Sequence, residues 1–333
     1  MRVFIAGGAG FIGSHFVRQL LSDAYPALGW GPVVVLDKLT YAGNEANLAA
    51  VADHPRLKFV RGDICDASLV AELMHGANLV VNFAAETHVD RSINDAGAFV
   101  QTNVLGAHNL LRRAVDAGVS RFVQVSTDEV YGSIETGSWP EEHPLAPNSP
   151  YAASKAAADL LALSFNRTHG LDVRITRCSN NYGPYQYPEK IIPLFVSNLL
   201  DGRRVPLYGD GRNIRDWVHV DDHCRALALV AARGRPGHIY NVGGGTELTN
   251  IDLVKHLLDL LGQDWSVVER VADRQAHDRR YSVDTTKLAA LGFTPRVNFR
   301  EGLAATVRWY RENRSWWEPL KRSTAGVPSP VHA

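Results

Sequence analysis

Along the first 180 residues, short β-branched runs alternate with longer segments whose apolar positions recur at helical spacing. The runs are "RVFIAG", "PVVVLD", "LKFVRGD", "NLVVNFAAE", "RFVQVST" and "LDVRITR". Strand and helix in regular alternation predict a parallel sheet with helices on both faces. Helices are expected from Ala98 to Ala117 and from Tyr151 to His169, with Gly118 and Gly170 just beyond as C-terminal caps. After "SNNYGPYQYPEK" the pattern turns irregular, and "PLYGDGRNIRDW" and "NVGGGTELTN" interrupt shorter helices. The predicted class is α/β: a doubly wound parallel (Rossmann) sheet with a smaller, mixed α/β substrate-binding region over the strand ends, where such sheets bind ligands. Residues 1–180 form the expected nucleotide domain, with segments near 214–242 returning to it. Residues 181–320 form mainly the second region, and 321–333 are a tail. No internal repeat is visible.

Composition narrows the partners. Among 333 residues, 35 Lys and Arg balance 35 Asp and Glu, which removes the global electrostatic reason to expect nucleic acid or an anionic membrane. A small molecule is the expected partner. Cys65, Cys178 and Cys224 are too few and too scattered for a disulfide framework or a zinc site, and are expected as buried apolar residues in a reducing compartment. His88, His219 and His223 lack metal-ligand spacing and are expected to be structural, so no metal is predicted. The apolar start is short and punctured by glycine, and reads as a strand and turn rather than a leader. No segment has the apolar length of a membrane span. A cytoplasmic location is expected.

"GGAGFIG" places Gly7, Gly10 and Gly13 after the first strand and at the start of a helix. Glycine there permits a tight turn and close approach of the backbone to a pyrophosphate, which the helix N-terminus favours electrostatically. Asp37 ends the second strand, about twenty residues on, where a carboxylate accepts hydrogen bonds from a ribose and repels a 2′-phosphate. NAD is therefore expected over NADP, with Lys38 next door softening the preference. Asp63 ends the third strand, as an adenine contact or as a strand cap.

In "YAASK", Tyr151 and Lys155 share one face of a helix. A phenol titrates near pH 10, and a nearby ammonium together with a cationic nicotinamide would have to lower it by about three pH units, roughly 4 kcal/mol. Thr127, at the end of the fifth strand, would share a substrate hydroxyl with Tyr151. That trio suits oxidation of a secondary alcohol.

With these residues in place the chain resembles the extended short-chain dehydrogenase/reductase family from Met1 to about Leu320. Within it, "LDKLTYAGN", "AAETHVDRS", "STDEVYG", "YAASK", "NNYGPYQYPEK", "PLYGDGRNIRDW" and "HDRRY" are similar to the dTDP-glucose 4,6-dehydratases of the sugar-nucleotide dehydratase and epimerase group. The resemblance implies NAD as cofactor, dTDP-glucose as substrate and a homodimer formed through the helices near 98–117 and 151–169. It implies that Glu129 removes the proton on carbon 5 of the hexose after carbon 4 is oxidised, that Asp128 protonates the departing carbon 6 hydroxyl, and that hydride then returns to carbon 6. Further cofactor contacts are expected from Phe11, Ile12, Leu39, Thr40, Ile64, Ala84, Ala85, Thr102 and Asn180. Substrate contacts are expected from Thr87, Asn181, Glu189, Lys190, Pro206, Tyr208, Arg215 and Asn250, with Arg274 and His277 from a distant loop. That loop reads "RQAHD" where the family commonly has "RPGHD", a change in stiffness that bears on Arg274 and His277. Three alternatives stay open: the same chemistry on UDP-glucose, a sugar-nucleotide 4-epimerase that would leave Asp128 and Glu129 without a task, and a non-catalytic NAD-binding protein.

Overall fold

The computed structural model describes residues 1–273 and 277–324. Six strands appear where the β-branched runs predict them: β1 (Val3–Ala6), β2 (Val33–Asp37), β3 (Leu57–Arg61), β4 (Leu79–Asn82), β5 (Arg121–Thr127) and β6 (Val173–Cys178). Six more follow: β7 (Asn180–Tyr182), β8 (Val205–Tyr208), β9 (Ile214–His219), β10 (Ile239–Val242), β11 (Glu247–Thr249) and β12 (Val268–Val271). The main sheet has seven strands in the order β10-β6-β5-β4-β1-β2-β3, every pair parallel. The order reverses between β1 and β4, which opens a crevice at their carboxyl ends.

Successive side chains of a strand point to opposite faces, so each strand feeds two cores. Val3 and Ile5 join Phe16, Leu20 and Leu227 on one side, whereas Phe4 and Ala6 join Leu110, Phe122 and Phe165 on the other. Each such fully buried side chain contributes roughly 1.5–3 kcal/mol by leaving water. A third core, around Phe195, Trp217, Leu257, Leu303 and Trp317, belongs to the smaller region, whose sheets are β11-β9-β7 and β12-β8. The chain returns to the main sheet with the Val220–Arg233 helix, which buries Cys224 and Leu227 against it, and then with β10 at its edge. β9, just before, pairs with β7 and β11 instead. Cys65, Cys178 and Cys224 are unpaired thiols; the last two are buried and Cys65 is half-buried.

The helix expected over Tyr151–His169 spans Pro150–His169. The Ser149 side chain accepts from Ala152 N at 3.1 Å, proline fills the first helical position, and Gly170 at φ +67° ends the helix. The one expected over Ala98–Ala117 differs: Ala96–Phe99 runs into a π-helical stretch, Val100–Gly106, before Ala107–Asp116. The wider turn shifts side chains off ordinary helical spacing and turns Asn103 inward, where it bonds Glu86 and Ser154. Periodicity read at an α-helical period cannot register that extra residue.

Candidate active site

The strand ends and the smaller region enclose a cleft of about 720 Å³. On the nucleotide side, Gly7 has φ +76°, and a Cβ there would lie 2.5 Å from Ala84 N. A Cβ on Gly13 would lie 2.2 Å from Gly7 O, so at both positions only glycine fits. Gly10 has room for a side chain, and its role is access: it precedes the Phe11–Leu21 helix, whose first N–H groups have no partner within the helix. With Phe11 and Ile12 beside them, the glycines form a backbone cradle suited to a pyrophosphate.

Asp37 is buried and anchored, accepting from Ala9 N and Leu39 N at 2.8 Å each. Burial raises its carboxyl above the ordinary range, against the lowering effect of those two N–H groups. Lys38 Nζ sits 2.7 Å from Asp63, whose Oδ1 also accepts from Cys65 N. Burial opposes the ionised form of Asp63, yet Lys38 and the Cys65 N–H hold its carboxyl below the usual range. Lys38 is thereby neutralised locally, and the carboxylate of Asp37 keeps its repulsion toward a 2′-phosphate. Thr40, Ile64, Ala84, Ala85, Thr102 and Asn180 line the same cleft. Leu39 does not line it: at φ +55° its side chain packs on the main core, and its N–H serves Asp37.

At the end of β5, Thr127 caps a short turn of helix, Asp128–Tyr131, by accepting from Glu129 N at 3.3 Å. The acidic pair thus starts a helix, where carboxylates are favoured. Asp128 is 2 % exposed, whereas Glu129 is half-buried and faces the cleft. Burial, reinforced by the charges of Glu129 and Asp216, pushes the Asp128 carboxyl well up, with Arg215 opposing. Tyr151 and Lys155 reach the same cleft from the Pro150–His169 helix, and Lys155 Nζ donates to Val125 O at 2.6 Å. Burial and the charges of Glu129, Cys178 and Asp128 raise the Tyr151 phenol, and Thr127 opposes them. Lys155 itself is lowered by burial. The lowering that the chemistry needs therefore requires positive charge beyond what these side chains supply.

On the far side, Arg215 is nearly buried, donating to Ile214 O at 2.7 Å and Asp278 O at 2.8 Å with its guanidinium 4.2 Å from the Tyr281 ring centre. Pro206, Tyr208, Asn250 and His277 line this end of the cleft. Tyr208 and His277 meet edge to face, and His277 Nδ1 lies 2.6 Å from Asp273. Asn181 lines the cleft but turns its amide inward, donating to Ser179 O at 3.0 Å while its Oδ1 meets His223 Nδ1 at 2.9 Å. Thr87, Glu189 and Lys190 meet over the mouth: Lys190 Nζ donates to Thr87 O at 3.1 Å, and Glu189 takes Arg91 at 3.3 Å. Arg274 lies outside the described residues.

Sequence reasoning left several neighbours unnamed. Tyr41 stacks under Arg91 at 3.7 Å and meets Tyr187 edge to face, closing the mouth further. Both Tyr41 and Arg91 stand inside quoted motifs, "LDKLTYAGN" and "AAETHVDRS", so the signal was present without a residue attached to it. Cys178 lines the cleft beside Lys155 rather than only filling the core. Asn103 ties the helical layer to the Glu86 backbone and Ser154 from a π-turn that spacing does not reveal.

A family model described as GDP-mannose 4,6 dehydratase matches residues 4–306. The chain belongs to this family. Among relatives, it is 62% identical over 332 residues to the dTDP-glucose 4,6-dehydratase of Streptomyces antibioticus, a match covering 99% of this chain and 98% of that one. A crystal structure of the Streptomyces venezuelae dTDP-glucose 4,6-dehydratase with NAD bound is 65% identical, with a TM-score of 0.95 over 96% of this chain and 100% of that one. The family fold also extends to different chemistry. The UDP-glucose 4-epimerase of Thermus thermophilus, solved with NAD, is 33% identical with a TM-score of 0.86 over 94% of this chain and 100% of that one. Backbone likeness alone therefore does not choose the reaction, and the side chains at the strand ends must.

Proposed function

We propose that this chain dehydrates dTDP-glucose to dTDP-4-keto-6-deoxyglucose with NAD retained through the cycle. The observation that carries the reading is the Asp128-Glu129 pair, one carboxyl buried and held toward its acid form, the other facing the cleft. A 4-epimerase has no use for such a pair, whereas an elimination needs both an acid and a base.

NAD, when bound, supplies a two-electron acceptor for carbon 4 that later reduces carbon 6. The glycine cradle and Asp37 would hold it. Tyr151 takes the hydroxyl proton at carbon 4, with Thr127 orienting that hydroxyl and Lys155 favouring the phenolate. A carbonyl at carbon 4 acidifies the carbon 5 proton, which Glu129 removes and gives back to carbon 5 when carbon 6 is reduced. Asp128 gives its proton to the carbon 6 hydroxyl as water leaves. Burial, reinforced by the charges of Glu129 and Asp216, keeps Asp128 from ionising early. Arg215, held by two carbonyls and Tyr281, presents a preset guanidinium to the diphosphate. Pro206, Tyr208 and Asn250 receive the base, while Thr87, Asn181, Glu189, Lys190 and His277 surround the sugar and diphosphate. Residues 1–180 and the returning helix serve the cofactor, and 181–320 mainly the nucleotide sugar.

A homodimer belongs to the same reading. Val100, Leu105 and Leu160 are 48%, 51% and 59% exposed on two helical stretches that pack side by side, an apolar face that a second copy would cover. Among the described residues no helix is long and apolar enough to cross a membrane. A cytoplasmic location is proposed on the nucleotide-sugar substrate and the three unpaired thiols.

The test is purified protein without added cofactor, incubated separately with dTDP-glucose and UDP-glucose and followed by mass spectrometry. Loss of one water from the thymidine compound alone is expected. No loss from either after NAD is added refutes the reading, and equal loss from both refutes the base preference.

A further inference from the structure

The Pro150–His169 helix carries a third charged residue in line with its two reactive ones. Tyr151, Lys155 and Asp159 stand four apart and share one face. Asp159 is 0% exposed and touches none of the cleft, so the mechanism above does not use it. Its Oδ2 accepts from Arg177 Nε at 2.9 Å. Its other oxygen is equally buried, and the Ser126 side chain also acts on the carboxyl in favour of its ionised form. Arg177, itself 2% exposed, lies 4.8 Å from the centre of the Tyr131 ring and also donates to Glu141 O. Tyr131 ends the short helix that Asp128 and Glu129 begin, and its hydroxyl donates to Asn241 at 2.9 Å.

We propose that Asp159 is a positioning residue: its buried carboxylate holds Lys155 as an ammonium beside Tyr151 and, through Arg177 and Tyr131, braces the turn that presents Asp128 and Glu129. This inference rests on the reading of Tyr151 and Lys155 given above. Burial lowers the proton affinity of Lys155, and Asp159 is the largest influence opposing that loss. The groups facing Lys155 and Asp159 from other elements are Ser126 on β5 and Cys178 and Arg177 on β6, while the acidic pair at the end of β5 faces Tyr151, with Arg215 and Asp216 behind Asp128. Without Asp159, Lys155 and Arg177 would be two buried cations with no carboxylate in direct contact with Arg177. An isolated buried cation gives up its proton rather than stay charged, and lysine yields before arginine. A neutral Lys155 no longer favours the phenolate.

Asp159→Asn alone leaves Arg177 without its partner, and Arg177→Met alone leaves Asp159 a buried carboxyl that would take up a proton, so the unaltered protein is compared with the double variant Asp159→Asn/Arg177→Met, in which the whole buried pair is gone. Lysine labelled with 13C at Cε, with the Lys155 resonance assigned by Lys155→Arg, reports its titration directly in substrate-free protein. The midpoint is expected to fall by at least about one pH unit in the double variant relative to the unaltered protein, a tenfold change in proton affinity. In the same pair, the pH limb for reduction of the nicotinamide by dTDP-glucose moves to higher pH. An unchanged Lys155 midpoint in the folded double variant overturns the proposal and leaves Asp159 a structural partner of Arg177. If instead the unaltered protein does not turn over dTDP-glucose, the substrate reading fails, and the lysine titration still decides the role of Asp159.

Discussion

Asp128 and Tyr151 carry opposite burdens of the same burial. Desolvation and the charge of Glu129 raise both, which suits Asp128 as a proton donor and obstructs Tyr151 as an acceptor. The two roles separate by mutation. Asp128→Asn keeps the first oxidation and slows elimination by about 10² to 10⁴, so stopped-flow absorbance after mixing with dTDP-glucose records reduced nicotinamide that accumulates. Tyr151→Phe gives no such signal. Asp128 also costs stability. Its folded-state titration lies above the unfolded value of about 3.9, so its favourable contribution is complete below that pH and is lost as pH rises toward the folded value. Asp128→Asn should therefore raise the melting temperature at pH 8 and change it little at pH 3.5; the reverse order would remove the buried-acid assignment. Sequence made these residues legible because each stands in a motif whose chemistry names a side chain. The direction of the Tyr151 shift was not legible, because burial and the facing carboxylates come from β5 and its turn rather than from the "YAASK" segment.

Elements were readable where one signal dominated. β-Branched runs placed six parallel strands, and Ser149, Pro150 and Gly170 bound the catalytic helix at both ends. Ser149→Ala should lower stability by about 1 kcal/mol, by leaving Ala152 N without its acceptor, measurable by denaturant unfolding. No change would mean that the helix start is held by tertiary contacts alone. The Val100–Gly106 π-helix was not readable, since the contacts that accompany it are tertiary: Asn103 bonding Glu86 and Ser154, and Gly106 against Ile64. The mouth of the cleft was hidden for a similar reason. Tyr41, Arg91 and Glu189 meet only once the segments after β2, β4 and β7 have folded over the sheet, Arg91 on the short Val89–Asn94 helix.

For the whole molecule, seven parallel strands set the crevice and the third core places Arg215 and Tyr208 across it. The apolar face of Val100, Leu105 and Leu160 makes a prediction at this scale. Replacing Leu105 and Leu160 together with Glu should convert a dimer to monomers in multi-angle light scattering, because charge in the centre of an apolar interface is left unpaired. A mass unchanged by the substitution would exclude that face. The central claim is that one active site removes two electrons from carbon 4, expels water and returns them to carbon 6 of the same sugar. The most direct measurement mixes dTDP-glucose carrying deuterium at carbon 4 with uniformly 13C-labelled dTDP-glucose, and reads the products by mass spectrometry and NMR. Deuterium at carbon 6 only in the 12C product, with one water lost, is the predicted result. Deuterium in the 13C product, or a sugar that keeps its carbon 6 oxygen, would contradict it.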